Sequence, residues 1–519
     1  MAKEEMTAGM QNSVLAAIDI GSNSIRMSIG QVYPDGLIEV LEQAQRAVRL
    51  GQDTFRRSHL DRVTMQTAIS ILREFKRRID LYAAQRVWIV ATSALREARN
   101  ADVFIDRMLM TTGLEVDVID TPQEGRLTVL AVRAAMGQDS VLMRGRTLIT
   151  EVGGGSTALT MLEKGQIIAS HSLGLGSIRL QEVLGTGGEP WQRTSEFISN
   201  EIVSILSSLE GLMPLKGIRT FLAVGGDARF AADHVGQVLD NPRFRKITAR
   251  AFAQLVNEIK SYSIEQLVSK YDLPFPEAET LVPALMVYQE LLRVTRAKEL
   301  IVPYVSMRDG LLLEMSRRAM GQEDQMFSGE VVQSARSIAE KYKVNLHHAE
   351  RVAACAVRLF DELKREHGLG YRYRVLLEAA ALLHEVGSFV STRAYHKHTY
   401  YLIANSEIYG LTGSEVNITA HVARYHRRSA PKPTHAEYMS LSRENRIIVN
   451  KLAAILRLAK AMDVSDVRRI DQVKFLFDED RFVIRIPGLA DNSLRMRSLE
   501  IRSDFFEDVY GMKIRFIGI

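Results

Sequence analysis

Two stretches of this chain follow one pattern. Ile18-Asp19-Ile20-Gly21-Ser22-Asn23-Ser24 runs from an apolar strand through an acid and an aliphatic residue into a turn of small, hydroxyl-bearing residues. Ile149-Thr150-Glu151-Val152-Gly153-Gly154-Gly155-Ser156-Thr157 does the same, with the two acids 132 positions apart. A second strand-like run follows each turn, Ile25 to Ile29 in the first case. A repeated hairpin of this kind predicts a duplicated α/β domain, and two such domains facing each other enclose a cleft. A third small-residue turn, Ala223-Val224-Gly225-Gly226-Asp227, ends another apolar segment.

The segments around these turns alternate between strand and helix. Leu60 to Ile79 carries Val63, Ala68, Ile71, Leu72 and Phe75 at helical spacing, with basic residues between them. Val87 to Val90 and Leu114 to Ile119 read as buried strands. Thr121-Pro122-Gln123-Glu124 predicts a helix start, with Thr121 as N-cap and Pro122 at the first helical position. Such alternation predicts an α/β sheet. Past Met320 the polar break Gly321-Gln322-Glu323-Asp324-Gln325 leads into helical patterns from Val331 to about Val464, which hold nine of the twelve histidines. From Val473 the alternation resumes (Val473, Phe475, Phe477; Phe482, Ile484, Ile486; Met512, Ile514, Phe516) and predicts a small strand-rich module. The expected division is 12–130 and 131–320 for the two related α/β domains, 325–470 for an all-α domain and 471–519 for a small α+β module.

Hydrophobic residues make up 46% and charged residues 25% of the chain, and Gly (34) and Pro (12) are too few for a disordered or collagen-like polymer. The single cysteine, Cys355, excludes an internal disulfide and fits a reducing compartment. Met1-Ala2-Lys3-Glu4-Glu5 is not followed by the apolar run of a signal peptide. No stretch approaches the ~20 apolar residues of a membrane helix. The expectation is a cytoplasmic protein with neither membrane nor nucleic acid as partner. A net charge of +5 is compatible with a polyanionic partner without demanding one.

Glycine lets a turn aim several N–H groups at one point, hydroxyls add donors, and an acid on the preceding strand can hold a divalent cation against phosphate. A lone Gly-rich turn is usually an ordinary hairpin. Two in matching context make Ser22, Asn23, Ser24 and Arg26, with Gly153, Gly154, Gly155, Ser156 and Thr157, candidate phosphate ligands, and Asp19 and Glu151 candidate cation ligands. Gly225 and Gly226 offer a third turn. Arg96, at the carboxyl end of a strand in Ala91-Thr92-Ser93-Ala94-Leu95-Arg96, can fork onto phosphate or serve as a surface ion-pair partner. Glu124 reads by spacing as the return residue of a capping box with Thr121. Its functional reading is a general base that activates water at a cleft wall.

His348, the pair His384-Glu385 and Asp463 are spaced like the metal ligands of the HD phosphohydrolases, with Glu where those enzymes have Asp. Helical histidines are more often structural, and Cys355 in Ala353-Ala354-Cys355-Ala356 reads as a core residue. Arg424, Arg427, Arg428 and Lys432 lie in a stretch without an acid between Glu415 and Glu437. That stretch is either a solvated basic loop or a polyanion track.

Taken in order, Asp19-Ile20-Gly21-Ser22-Asn23-Ser24, Thr92-Ser93-Ala94-Leu95-Arg96, Glu124-Gly125-Arg126-Leu127, Gly153-Gly154-Gly155-Ser156-Thr157 and Gly174-Leu175-Gly176-Ser177 resemble the successive motifs of the exopolyphosphatase/guanosine pentaphosphate phosphohydrolase (Ppx/GppA) family. Leu382-Leu383-His384-Glu385-Val386-Gly387, His396-Lys397-His398 and Ala423-Arg424-Tyr425-His426-Arg427 resemble the helical domain of its long members. The resemblance spans nearly the whole chain. It implies two actin-like domains of the acetate kinase, sugar kinase, Hsp70 and actin type, then an HD-like helical domain and a small tail domain. It also implies a homodimer that hydrolyses terminal phosphate from inorganic polyphosphate with magnesium, with guanosine pentaphosphate as a second candidate substrate and the tetraphosphate as its product. Glu124 falls on the family's catalytic glutamate. His-Glu is usual in the long members and implies a helical domain without hydrolytic metal chemistry.

Two departures stand out. Glu151 replaces the family's usual aspartate, keeping the charge on a longer arm, and Ala158 replaces a glutamate, removing a carboxylate from the metal loop. They keep two alternatives open beside the hydrolase: a phosphotransferase on the same fold, and a non-catalytic sensor of polyphosphate or guanosine polyphosphates.

Overall fold

The first apolar run of the chain becomes strand β1 (Ser13–Ile20), whose last six residues are all buried. A strand covered on both faces reads as continuous hydrophobicity, which is the pattern of Leu15 to Ile20. With β2 (Ser24–Val32), β3 (Ile38–Ala47), β4 (Arg86–Ala91) and β5 (Asp117–Val118) it forms a five-stranded sheet in the order β3-β2-β1-β4-β5. The computed structural model describes residues 13–33, 37–137, 145–183, 191–209, 213, 215–320, 328–427, 429–464, 472–478, 481–487 and 494–518. The chain divides into two units, Met1–Glu323 and Asp324–Ile519.

A second sheet in the first unit is built from β6 (Arg146–Val152), β7 (Thr157–Glu163), β8 (Gln166–Leu173), β9 (Thr220–Val224), β10 (Gln237–Val238), β11 (Phe244–Thr248) and β12 (Glu299–Pro303), in the order β10-β11-β12-β9-β6-β7-β8. Its stretch β8-β7-β6-β9-β12 repeats the first sheet. In both, three antiparallel strands are followed by parallel neighbours. The duplication seen in two turns therefore extends to whole sheets. In register, Asp19 faces Arg26 and Glu151 faces Ala158, so the two acids hold equivalent ladder positions.

The Arg62–Leu81 helix buries Met65, Ala68, Ile71, Leu72, Phe75 and Ile79 as its spacing predicts, but Val63 faces solvent. The strand expected over Leu114 to Ile119 shrinks to Asp117–Val118 at the sheet edge, where only β4 offers hydrogen bonds. The Phe275–Thr295 helix lies in the core of the second sheet's layer. The Met307–Ala319 helix returns to the first sheet, where Leu311, Leu312 and Met315 pack with Leu15, Ala17 and Val90.

The second unit opens with helices, among them Ser328–Lys341, Leu346–Glu362, Tyr371–Leu383, Tyr395–Ala404, Gly413–Arg424 and Arg443–Val464, around one apolar core that includes Cys355. The tail forms a sheet β13-β14-β15 from Lys474–Asp478, Arg481–Ile486 and Lys513–Gly518, with Phe482 and Phe516 in the core beside Phe506 of the Leu494–Tyr510 helix. Among the described residues no helix is long and apolar enough to cross a membrane.

Candidate active site

The two Gly-Ser turns close in the same way. Gly21 N donates to the Ser24 carbonyl at 3.1 Å, and Gly153 N to the Ser156 carbonyl at 2.9 Å. They also meet: a Cβ added at Gly154 would lie 2.8 Å from the Ser22 Cβ. Asp19, Ser22, Asn23, Ser24 and Arg26 from the first turn line one cleft with Glu151, Gly153, Gly154 and Ser156 from the second. Gly225 and Gly226 line it as well, Gly225 with a φ of +122° that glycine alone adopts readily.

Asp19 is 7% exposed. Its Oδ1 is buried and has no hydrogen-bond partner among the described residues, and burial raises its carboxyl above the usual range. Glu151 Oε2 accepts from Thr128 Oγ1 at 2.6 Å, and burial raises this carboxyl too. Oxygen donors with an unused carboxylate atom match the preference of a hard divalent cation, so Asp19 and Glu151 fit that role.

The Thr121–Met136 helix corrects the sequence reading of its own start. Its N-cap is Asp120, whose side chain accepts from Gln123 N at 3.0 Å while Gln123 Oε1 accepts from Asp120 N at 3.3 Å. Thr121 is thus the first helical residue and Pro122 the second. Aspartate caps at least as well as threonine, and the cap moves one residue upstream. That shift releases Glu124 from the capping box. Its side chain, 19% exposed, lines the cleft, and Oε1 accepts from Arg96 Nη1 at 2.8 Å. Burial raises the Glu124 carboxyl to about 7 against the opposing pull of Arg96.

Three expected phosphate ligands have other work. Arg96 is engaged by Glu124, the Ile119 carbonyl and Thr121 Oγ1, and does not line the cleft. Thr157 is fully buried and donates to the Leu175 carbonyl, because its strand position turns the hydroxyl inward. Gly155 packs on Ser93, whose Oγ a side chain there would overlap. Asn23 and Arg26 also make contacts within the unit. Asn23 Nδ2 donates to the Pro276 carbonyl at 2.9 Å, and Arg26 Nε donates to Gln45 Oε1 at 3.1 Å, whose amide reaches Glu277 at 2.8 Å.

Other cleft residues escaped the sequence reading. Asp227 has its carboxyl raised to about 7, chiefly by burial, and Arg229 donates to the Val305 carbonyl at 3.0 Å. Asp227 directly follows Gly225-Gly226 and Arg229 lies two residues further on, so the third turn was the signal. Arg308 Nη1 is 3.9 Å from Asp19 Oδ2, and burial lowers its pKa to about 10. Nothing local marks Arg308, which reaches Asp19 from the far end of the unit.

In the second unit, His348, His384, Glu385 and Asp463 come together. His348 Nδ1 lies 2.7 Å from Asp463 Oδ2, and Lys460 Nζ 2.6 Å from Glu385 Oε1. The two carboxylates raise His348 to about 9, Asp463 contributing most, while burial lowers His384. The basic stretch is not a uniform surface. Arg424 is 9% exposed, pairs with Glu437 at 3.2 Å and lies over the Tyr400 and Tyr425 rings, because its helix turns it into the aromatic core. Arg427 is partly exposed over Tyr395, and Lys432 is exposed. Arg428 lies outside the described residues.

A model of the Ppx/GppA phosphatase family matches residues 28–319, and a model of domain III of that family matches residues 332–503. The guanosine-5'-triphosphate,3'-diphosphate pyrophosphatase of Vibrio parahaemolyticus is 25% identical over 518 residues, which is 97% of this chain and 98% of that protein. The protein of the same name from Vibrio campbellii is 24% identical over 520 residues, with the same coverage of 97% and 98%. Among solved structures, a Ppx/GppA family member from Aquifex aeolicus superposes with a TM-score of 0.50 at 23% identity, covering 60% of this chain and 99% of that one. An exopolyphosphatase from Cytophaga hutchinsonii gives 0.54 at 21% identity, covering 59% and 98%. These likenesses show the actin-like fold for the paired sheets.

Proposed function

The chain belongs to the Ppx/GppA phosphatase family, and on that footing we propose that its cleft hydrolyses phosphoanhydrides. Terminal phosphate is released stepwise from inorganic polyphosphate, and guanosine pentaphosphate is converted to the tetraphosphate. The observation that carries this reading is Glu124, a carboxylate raised to about 7 in the same cleft as two Gly-Ser turns. A carboxyl near neutrality is ionised often enough to accept a proton, and basic enough to help water attack phosphorus.

In that step the water oxygen bonds to the terminal phosphorus and its proton passes to Glu124. The bridging P–O bond breaks, and its electron pair leaves with the shortened chain. The hydroxyls of Ser22 and Ser24 and the Gly154 N–H hold the non-bridging oxygens. Arg96 keeps Glu124 in place. Magnesium, held by Asp19 and Glu151, would neutralise charge on the phosphoryl oxygens.

Phosphate release from long polyphosphate and from guanosine pentaphosphate, each with and without ADP, tests the reading. Release without acceptor is expected. Transfer to ADP would make the chain a phosphotransferase, and binding without turnover would make it a sensor. The Vibrio relatives are named as pyrophosphatases, which favours neither alternative. We further take the second unit to be HD-like, on the meeting of His348, His384, Glu385 and Asp463, with Arg427 and Lys432 as its part of a polyphosphate track. The family resemblance implies a cytoplasmic homodimer, which light scattering on the purified chain tests.

A further inference from the structure

Two guanidiniums, those of Arg26 and Arg229, line the cleft, and neither forms an ion pair among the described residues. Each is fixed by a neutral acceptor. Arg26 Nε donates to Gln45 Oε1 at 3.1 Å, and Arg229 Nη1 to the Val305 carbonyl at 3.0 Å. A guanidinium carries five N–H donors, so both have donors to spare. The acids near Arg229 are committed elsewhere. Glu151 accepts from Thr128, and Asp309 Oδ2 accepts from Ser306 N at 2.6 Å and Ser306 Oγ at 2.8 Å. Asp227, two residues ahead on the same helix, has its carboxyl raised to about 7 and carries only part of its charge at neutral pH. Burial, and after it the Arg26 charge, lowers the pKa of Arg229. Two like charges in a partly buried place are costly unless an anion joins them.

The place of Arg229 in the fold identifies that anion. The strand order β8-β7-β6-β9 sets Glu151, on β6, between two walls. On the β7 and β8 side lies the Thr121–Met136 helix, where a Cβ added at Gly125 would meet Thr160 Oγ1 at 3.4 Å and Ser170 Oγ at 3.9 Å. Glu124 precedes that contact by one residue. On the other side β9 runs into Gly225, and the Gly226–Val235 helix brings Arg229. Tyr288 ties the two strand ends together, since its hydroxyl accepts from Val152 N at 3.1 Å and donates to the Val224 carbonyl at 2.5 Å. In-line displacement puts the attacking water and the leaving oxygen on opposite sides of phosphorus. With Glu124 on the water side, Arg229 stands on the leaving side. We propose that Arg229, with Arg26 beside it, is a catalytic residue that binds the departing end of the substrate, the second phosphoryl group of a polyphosphate or nucleoside polyphosphate. This assignment rests on the hydrolase reading above. As the bridging P–O bond breaks, its electron pair stays on the oxygen of the shortened chain. The guanidinium N–H groups bond to that oxygen and keep their protons.

Methylenediphosphonate, a pyrophosphate mimic whose bridge does not hydrolyse, probes the site by titration calorimetry in the wild-type full chain and in Arg229→Gln. The substitution should weaken its binding about 10–100-fold, the range of one or two charged hydrogen bonds, and leave orthophosphate binding at the terminal position unchanged. In phosphate release from tripolyphosphate, kcat should fall about 10²–10³-fold, the cost of removing one donor from a developing oxyanion. The rising limb of kcat/KM with pH should stay in place, since Glu124 is untouched. Circular dichroism checks folding, and Arg229→Lys, which keeps the charge without the fork, carries the comparison where the Gln variant does not fold. Equal weakening of both anions, or an unchanged diphosphonate affinity, would overturn the assignment. A wild-type chain that binds the diphosphonate through Arg229 yet releases no phosphate would end the hydrolase reading and the catalytic role with it, leaving the anion site.

Discussion

Arg96 holds Glu124 by a 2.8 Å bond to Oε1 while its own guanidinium is anchored on the Ile119 carbonyl and the Thr121 hydroxyl. The carboxylate proposed as the base is therefore fixed to the start of its own helix, yet remains open to the cleft. Glu124→Gln keeps an oxygen for Arg96 and loses only the ability to take a proton. Turnover should fall about 10²–10⁴-fold, with substrate affinity retained. Steady-state phosphate release and equilibrium binding measure the two, and a near wild-type rate would remove Glu124 from the base role.

The same pair sets a pH dependence. Glu124 acts as a base only when ionised, and burial puts its carboxyl at about 7. The ratio kcat/KM should accordingly rise with pH through that region and level off above it. Arg96 opposes the burial effect both by its charge and by its hydrogen bond. Removing it with Arg96→Gln should raise the carboxyl further and move the ascending limb to higher pH. A purely structural arginine would lower the rate without moving the limb, so the pH profile separates the two roles.

What could be read in advance follows the range of each interaction. The acid-turn-strand pattern at Asp19 and Glu151 is local, and both hairpins formed as expected. The role of Glu124 hinged on a single position: with Thr121 as cap its side chain turns back to the backbone, and with Asp120 as cap it faces the cleft. Spacing alone does not separate two good caps in adjacent positions. Arg424 departs from the expectation because a count of nearby acids ignores the rings around it, the adjacent Tyr425 and Tyr400, which the fold brings from another helix. Arg308 reaches Asp19 only once the Met307–Ala319 helix has crossed back onto the first sheet, so no short window of sequence contains it.

His384→Ala should leave phosphate release from polyphosphate and from guanosine pentaphosphate largely intact, because no hydrolytic step is assigned to the helical unit. The side chain is fully buried, so folding must be checked beside activity. Loss of all hydrolysis in a folded variant would make the helical unit a second active centre.

Ala158 stands opposite Glu151 across the second hairpin and lines the cleft. A carboxylate grown from that position would reach the side of the sheet that carries Glu151, the acid proposed to hold the cation, whose partner on the protein side is the Thr128 hydroxyl. Ala158→Glu should lower the half-saturating magnesium concentration in phosphate release. An unchanged or weaker magnesium response would exclude position 158 from the metal site.

The basic residues of the helical unit should separate into two classes. Arg424 bonds to Glu437, which is half exposed, and stacks over two tyrosines. Its loss strands no fully buried charge, so Arg424→Ala should cost about 1–2 kcal/mol of stability, from one charged hydrogen bond and its ring contacts, and not the larger penalty of a broken buried pair. Denaturant midpoints measure this, and discrimination between long and short polyphosphate should not change. Among the described residues of the stretch, Arg427 and Lys432 are the reachable charges. A cleft that cradles a few phosphates leaves the rest of a long polyanion in solvent, where exposed cations can retain it between cuts. Arg427→Ala with Lys432→Ala should raise KM for long chains and spare short ones. The difference should fade as salt rises, since exposed charges are screened beyond ~8 Å at physiological ionic strength. Equal losses on long and short chains, or losses indifferent to salt, would end the polyphosphate track as an explanation.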